Sequence, residues 1–274
     1  MAHLHSHGRD PLVDTAAQHN LENVQPPWVS MFKNFLRSAA PKQGSSNGTD
    51  SDSLPSYPFI LSTVSVNEYT DDATGETTSY VRPHARTCMF RGFAFGTNSG
   101  ILNVTTDKRM AKFSQLTRPS THGAFEACFY FEGDLVQFRI SGACKLVYLI
   151  ADEVYLSDPE KGTEESAQES IKDEFYKAWD ALSPGMKLSF CKPPPGAEFN
   201  QEHFEVLQKI EKITEEVHSG KDIPEEYVSE GQHNFVLILC GPELVDFVNV
   251  SGIGQRILFS RAGEYVWTFQ EICP

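Results

Sequence analysis

No apolar run in this 274-residue chain approaches the roughly 20 residues that a membrane-crossing helix needs. The N-terminus, MAHLHSHGRDPLVD, has neither the basic start nor the apolar stretch of a secretory signal. Cysteine is sparse: Cys88, Cys128, Cys144, Cys191, Cys240 and Cys273 are widely spaced and form no CxxC pair. They read as reduced, mostly core residues and exclude a disulfide framework. Positive charge is short as well, with 23 Lys and Arg against 37 Asp and Glu and a net charge of −14. That balance excludes a general nucleic-acid binder, which must displace counterions from phosphates. There is no P-loop and no paired-histidine helix for zinc, and the Gly-Ile-Gly at 252–254 lacks the third glycine of a dinucleotide fingerprint. Cys88 lies near His84 in sequence, but no third orienting group completes a thiol nucleophile. These absences predict a cytoplasmic protein with neither a membrane nor a nucleic-acid partner.

Apolar and aromatic residues are plentiful. Hydrophobic residues make up 40% of the chain, with 19 Phe, enough for one large core without cross-links. Residues 1–25 are polar, with His3, His5 and His7 alternating, and read as a disordered tail. Two prolines then open PPWVSMFKNFLRSA, in which Trp28, Met31, Phe32, Phe35 and Leu36 recur at helical spacing. PKQGSSNGTDSDSLPS (41–56) reads as a mobile loop. Residues 26–274 are otherwise expected to form a single domain.

Beyond that loop the period becomes that of strands: FILSTVSV (59–66), ARTCMFRG (85–92), ILNVT (101–105), FEACFYF (125–131), LVQFRISG (135–142) and CKLVYLI (144–150). Glu132-Gly133-Asp134 and Gly142-Ala143 are expected as tight hairpin joints. Residues 151–232 carry 20 Asp and Glu against 8 Lys and Arg and predict an acidic helical cover, with helices near 165–182 and 200–218. Strand character returns in NFVLILC, LVDFVNV, QRILFS and YVWTFQ. The pattern is mainly β with flanking helices, and short strands with tight turns suggest a barrel.

The scarce positive charge is clustered. Arg82, Arg86, Arg91, Lys108, Arg109, Lys112 and Arg118 fall between residues 82 and 118, opposed only by Asp107. TTDKRMAKFSQL (105–116) reads as a short helix capped by Asp107, with Met110, Phe113 and Leu116 toward the core. Lys108, Arg109 and Lys112 would then crowd its first turns, where the helix dipole disfavours cations by up to about 1 kcal/mol each. A solvated basic face is one reading. A bound phosphate beside Thr105 and Thr106 is the other. Strand alternation puts Gln137 and Arg139 on one face of LVQFRISG and gives Arg86 and Arg91 opposite parity.

In this order, PPWVSMF, LSTV, RTCMFRGF, TTDKRMAKFSQL, FEACFYF, QFRISG, WDALSPGMKLSFCKPPPG, FVLILCGPELVDF, QRILF and WTFQEICP resemble the pyridoxamine 5'-phosphate oxidase superfamily. The likeness is greatest to its oxidase-like branch of mostly unassigned substrate. The resemblance implies an FMN-binding split barrel, six-stranded, antiparallel and Greek-key. It also implies FMN as cofactor, a homodimer with FMN at the subunit interface, and oxidoreductase chemistry on an unidentified small molecule. An FMN-binding or FMN-storing module without turnover is the alternative.

The resemblance also implies site residues. Arg86 with Thr87, Cys88 and Met89 matches the strand along the flavin and its phosphate, Thr105 and Thr106 the strand end before the phosphate helix, and Lys112 the phosphate lysine. Gln137 matches the glutamine at the isoalloxazine edge, and Arg256 a C-terminal arginine that reaches FMN. Arg91 matches a basic substrate contact. Arg139, sharing a face with Gln137, is assigned to the same substrate side, where it would favour anionic reduced flavin. The departures fall at particular positions. Ala111 stands where the oxidases have an arginine, leaving Arg109 as its expected substitute, and Met110 where nearer relatives carry serine. Tyr176 is followed by Asp180 where a substrate-phosphate arginine would fall, and the C-terminal Arg-x-His element is missing.

Overall fold

A computed structural model describes residues 25–39, 54–157, 165–263 and 266–274. The expected tail apart from Gln25, and residues 41–53 of the expected loop, lie outside these residues. Helix α1 (Pro27–Ala39) buries Trp28, Val29, Phe32 and Leu36. Phe32 meets Phe129 edge-on at 4.8 Å between centroids and also touches Phe90, Phe93, Phe131 and Phe138. Such aromatic pairs add about 0.5–1.5 kcal/mol each beyond their buried area, so this helix seals the principal core.

That core is enclosed by β1 (Tyr57–Thr70), β2 (Thr77–Phe90), β3 (Leu102–Asp107), β4 (Ala124–Phe131), β5 (Val136–Ile150) and β7 (Phe235–Asn249). The pairing is antiparallel throughout, in the order β2-β1-β4-β5-β7, continued by β8 (Gln255–Arg261) and β9 (Trp267–Ile272). β6 (Glu153–Leu156) adds to β5. β3 pairs with β7, and Asn103 also exchanges backbone hydrogen bonds with Arg91 and Gly92 just beyond β2. Among the described residues the sheet has nine strands, of which the six named first enclose the principal core.

Two expected pairs of strands are single strands. LVQFRISG and CKLVYLI run on as β5, with a register shift at Ser141/Gly142 in place of a turn. A Cβ on Gly142 would collide with the Gly241 carbonyl, so glycine there permits close strand approach at the bulge and not a reversal. NFVLILC and LVDFVNV likewise fuse into β7. Residues 235–242 of β7 are buried on both faces: Val236, Ile238 and Cys240 face the principal core, while Phe235, Leu237 and Leu239 face a second. That double burial is why the segment reads as an unbroken apolar run. The expected joint at 132–134 is a 3-10 turn between β4 and β5.

The second core is roofed by α3 (Glu165–Asp180), through Ala167, Ile171, Phe175, Ala178 and Trp179. α5 (Gln201–His218) matches the other expected helix of the acidic segment. Two shorter helices were not expected: α4 (Pro184–Ser189), capped by the Ser183 side chain, and α6 (Glu225–Asn234). With α5 they bury Leu188, Cys191, Ile210 and Tyr227 in a third, small cluster. Among the described residues no helix is long and apolar enough to cross a membrane.

Candidate anion site

The alternation of β2 decides where its basic residues go. Arg86, Cys88 and Phe90 turn inward, opposite Leu61, Phe59 and Tyr57, while Thr87 and Met89 are exposed on the outer face. Among the described residues the Arg86 guanidinium is gripped by neutral acceptors: Nη1 donates to Thr63 Oγ1 at 2.6 Å and to the Leu61 carbonyl at 3.3 Å, and Nη2 to Gln115 Oε1 at 2.6 Å. Thr63 Oγ1 donates in turn to Gln115 Oε1 at 2.7 Å. Gln115 comes from α2 (Ala111–Thr117), the short helix after β3.

Lys112, in the first turn of α2, donates from Nζ to Thr106 Oγ1 at 2.8 Å and lies 3.3 Å from Met110 Sδ. Burial lowers the pKa of both Lys112 and Arg86. Burial raises the Cys88 thiol, and the charges of Lys112 and Arg86 pull it partly back, which places all three groups in one electrostatic neighbourhood. Among the described residues neither Arg86 nor Lys112 has a carboxylate within ion-pair distance. Two half-buried cations whose hydrogen bonds go only to neutral groups, with Asp107 a weaker and more distant attraction on Lys112, are costly unless an anion arrives. Arg86, Lys112 and the Thr106 hydroxyl are the donor set that a phosphate monoester requires.

The helix differs from expectation in ways that reshape this site. It begins at Ala111, so Lys108 and Arg109 precede it in a turn, and Asp107 does not cap it. Asp107 instead accepts from the Arg109 backbone N–H at 2.8 Å and pairs with its guanidinium at 2.6 Å. Arg109 Nη2 also donates to the Phe190 carbonyl at 2.8 Å, which ties the β3 end to the end of α4 and turns Arg109 away from Lys112. Met110 is 36% exposed, not core. Thr105 points to the opposite side of β3 from Thr106, toward the second core.

The remaining expected residues form a second group on the outer face. Arg139 pairs with Glu126 through Nε at 3.1 Å and Nη2 at 2.9 Å, and its Nη1 lies 3.8 Å from Asp246. Arg256 pairs with the same Asp246 through Nε at 2.9 Å and Nη2 at 2.8 Å. Hydrogen bonding to these carboxylates raises both arginines above their ordinary values. Gln137 is on the same face, one alternate position from Arg139. From Thr87 the register crosses Ile60 and Cys128 to reach Arg139, three strand spacings or roughly 14 Å. Arg91, just past β2, is half-buried and lowered by that burial.

Thr63, Gln115, Glu126 and Asp246 are the partners that reading the sequence missed. Gln115 stands three residues after Lys112, a spacing that puts both on one helix side. Asp246 is the lone charge in LVDFVNV, and it is 6% exposed.

Residues 25–148 match the family model for the FMN-binding domain of pyridoxamine 5'-phosphate oxidase. The chain is 31% identical to pyridoxine/pyridoxamine 5'-phosphate oxidase 2 of Arabidopsis thaliana, over 70% of this chain and 81% of that one. It is 24% identical to an uncharacterised protein of Saccharomyces cerevisiae, over 90% of this chain and 98% of that one. Among solved structures it resembles a pyridoxamine 5'-phosphate oxidase-related, FMN-binding protein of Nostoc punctiforme, with TM-score 0.57, 23% identity and coverage of 90% and 98%. It also resembles PhzG of Burkholderia lata, with TM-score 0.54, 16% identity and coverage of 93% and 95%. By its sequence and its fold, this chain belongs to the pyridoxamine 5'-phosphate oxidase family and carries that family's FMN-binding domain.

Proposed function

We propose that the protein is an FMN-dependent oxidoreductase of the cytoplasm, acting on a small-molecule substrate at a site whose substrate-binding residues differ from those of the pyridoxamine 5'-phosphate oxidases. The observation that carries the cofactor half is the pair Arg86 and Lys112, whose charges have only neutral partners. In this reading they hold the FMN phosphate with the Thr106 hydroxyl, Gln115 and Thr63 orient Arg86, and the protonated Cys88 thiol adds no competing negative charge. Bound FMN would supply the electron-transfer chemistry, and the chain supplies binding and orientation. The inward strands β1 to β5 and β7 are the six of the split barrel.

The expected flavin contacts divide between two places, and a homodimer accounts for the division. Arg86, Thr106 and Lys112 form one group, whereas Gln137 and Arg256 lie on the outer face several strands away. One flavin touches both groups only if a second copy presents its outer face. That face carries exposed Ile60, Met89 and Tyr130, at 42, 40 and 49%, grouped by the register of β1, β2 and β4. Light scattering of the flavin-loaded protein is expected to give the dimer mass.

The substrate half rests on charge. Arg139 and Arg256 are neutralised by Glu126 and Asp246, which leaves half-buried Arg91, with no carboxylate within ion-pair distance among the described residues, as the uncompensated arginine on the substrate side. The neutralisation of the other two supports the second reading, a flavin-binding module without turnover. Purified protein is expected to absorb near about 375 and about 450 nm, as oxidised flavin does. Stopped-flow mixing with amines and with NAD(P)H separates the readings. Rapid bleaching supports the oxidoreductase, and flavin that no donor reduces supports the module.

A further inference from the structure

Met110 occupies the position preceding α2, where a serine, threonine, asparagine or aspartate would cap the helix. It makes no cap hydrogen bond. Its thioether instead faces the anion site: Sδ lies 3.3 Å from Lys112 Nζ and 3.5 Å from Thr106 Oγ1, and those two donors are 2.8 Å apart. A thioether sulfur is a weak acceptor, so a phosphate oxygen displaces it at little cost. A sulfoxide oxygen is a strong acceptor, and oxidation of this sulfur would place one beside both donors. Met110 is 36% exposed as a residue, at the border of the surface where a small oxidant reaches. Met89 and Met186 are similarly exposed, at 40 and 37%, but Met89 faces outward from β2 and Met186 lies on α4.

We infer that Met110 is an oxidation site that controls FMN binding. In the flavin-free protein, hydrogen peroxide transfers one oxygen atom to Sδ. The peroxide O–O bond breaks, an S–O bond forms, sulfur loses two electrons, and the second oxygen leaves as water. The sulfoxide oxygen then accepts from Lys112 and Thr106 and competes with the FMN phosphate for them. Methionine sulfoxide reductase reverses the change, which makes the site a switch.

The inference rests on the assignment of Lys112 and Thr106 to FMN phosphate. Its test is an FMN titration by fluorescence quenching, on full-length flavin-free protein before and after limited peroxide treatment. Catalase ends the oxidation, a dithiol restores any oxidised thiols, and peptide mass mapping reads the oxygen on Met110. The dissociation constant is expected to rise about tenfold, the worth of one hydrogen bond to a charged group, in step with oxidation at Met110 and to recover with the reductase. Met110→Leu is expected to bind FMN with an affinity that peroxide leaves unchanged. Met110→Gln, which presents a permanent amide oxygen, is expected to bind more weakly without any peroxide. Oxidised Met110 with unchanged affinity overturns the inference, as does equal peroxide sensitivity in Met110→Leu or a Met110 that resists oxidation while Met89 and Met186 react. Failure of the untreated protein to bind FMN would instead overturn the phosphate assignment beneath it.

Discussion

The inner and outer faces of the same sheet treat arginine in opposite ways. On the inner side Arg86 is held by a threonine, a glutamine and a backbone carbonyl, with Lys112 nearby. On the outer side Arg139 and Arg256 are matched against Glu126 and Asp246. The residue type is the same, but Arg86 is half-buried with neutral partners, whereas Arg139 and Arg256 face outward and are paired with carboxylates. A compensated arginine organises the protein around it. An uncompensated, half-buried one is evidence of a ligand, because its desolvation has to be offset by something.

The largest expected effect comes from removing both uncompensated cations. Arg86→Ala with Lys112→Ala should weaken FMN binding roughly 1,000-fold in a fluorescence titration, at about 2 kcal/mol for each charge-assisted contact. A loss below tenfold would break the contrast between the faces. Gln115→Leu sharpens it. Arg86 keeps its charge but loses its orienting acceptor, and FMN affinity should fall about tenfold while the Tm of the flavin-free protein drops.

Acidity tests Lys112 separately. Its pKa in the free protein is lowered, chiefly by burial. Below that depressed value the cation is fully present and costs stability, and the cost lifts as pH rises toward lysine's ordinary value. A bound phosphate dianion raises the pKa again, so binding takes up a proton in the interval between the two values. FMN affinity should therefore decline by up to about tenfold per pH unit through that alkaline interval, as measured by calorimetry in buffers of different ionisation heat. A flat profile in wild type, or an identical slope in Lys112→Met, would remove Lys112 from the site.

The smallest effect is expected on the outer face. Arg139→Ala should change FMN affinity by less than about threefold, because Glu126 and Asp246 already balance its charge and surface pairs contribute little. A loss as large as that from Arg86→Ala would show that compensation is no guide to function here.

Much of this contrast was legible before any coordinates. Alternation in LVQFRISG puts Gln137 and Arg139 on a common face, and the cluster of basic residues in an acidic chain points to the neighbourhood that Arg86 and Lys112 share. What escaped was of two kinds. A Gly-Ala pair looks the same whether it reverses a chain or sits in a bulge, because close approach to the Gly241 carbonyl is a property of the partner strand. Arg109 belonged by spacing with Lys112, but Asp107, two residues earlier, captured it once the helix began later than periodicity suggested. Partners that are distant in sequence, Thr63 for Arg86 and Asp246 for Arg139 and Arg256, are set by strand register, which no local pattern encodes.

Arg86 and Lys112 are proposed to recognise a flavin by its phosphate. Riboflavin shares the ring system and ribityl chain of FMN but lacks that group, so the ratio of the two dissociation constants isolates it. Wild type is expected to prefer FMN by roughly 1,000-fold, a preference that collapses to within about tenfold in the Arg86→Ala, Lys112→Ala double variant. Equal affinity for the two flavins in wild type, or a preference that survives in the double variant, would contradict that recognition.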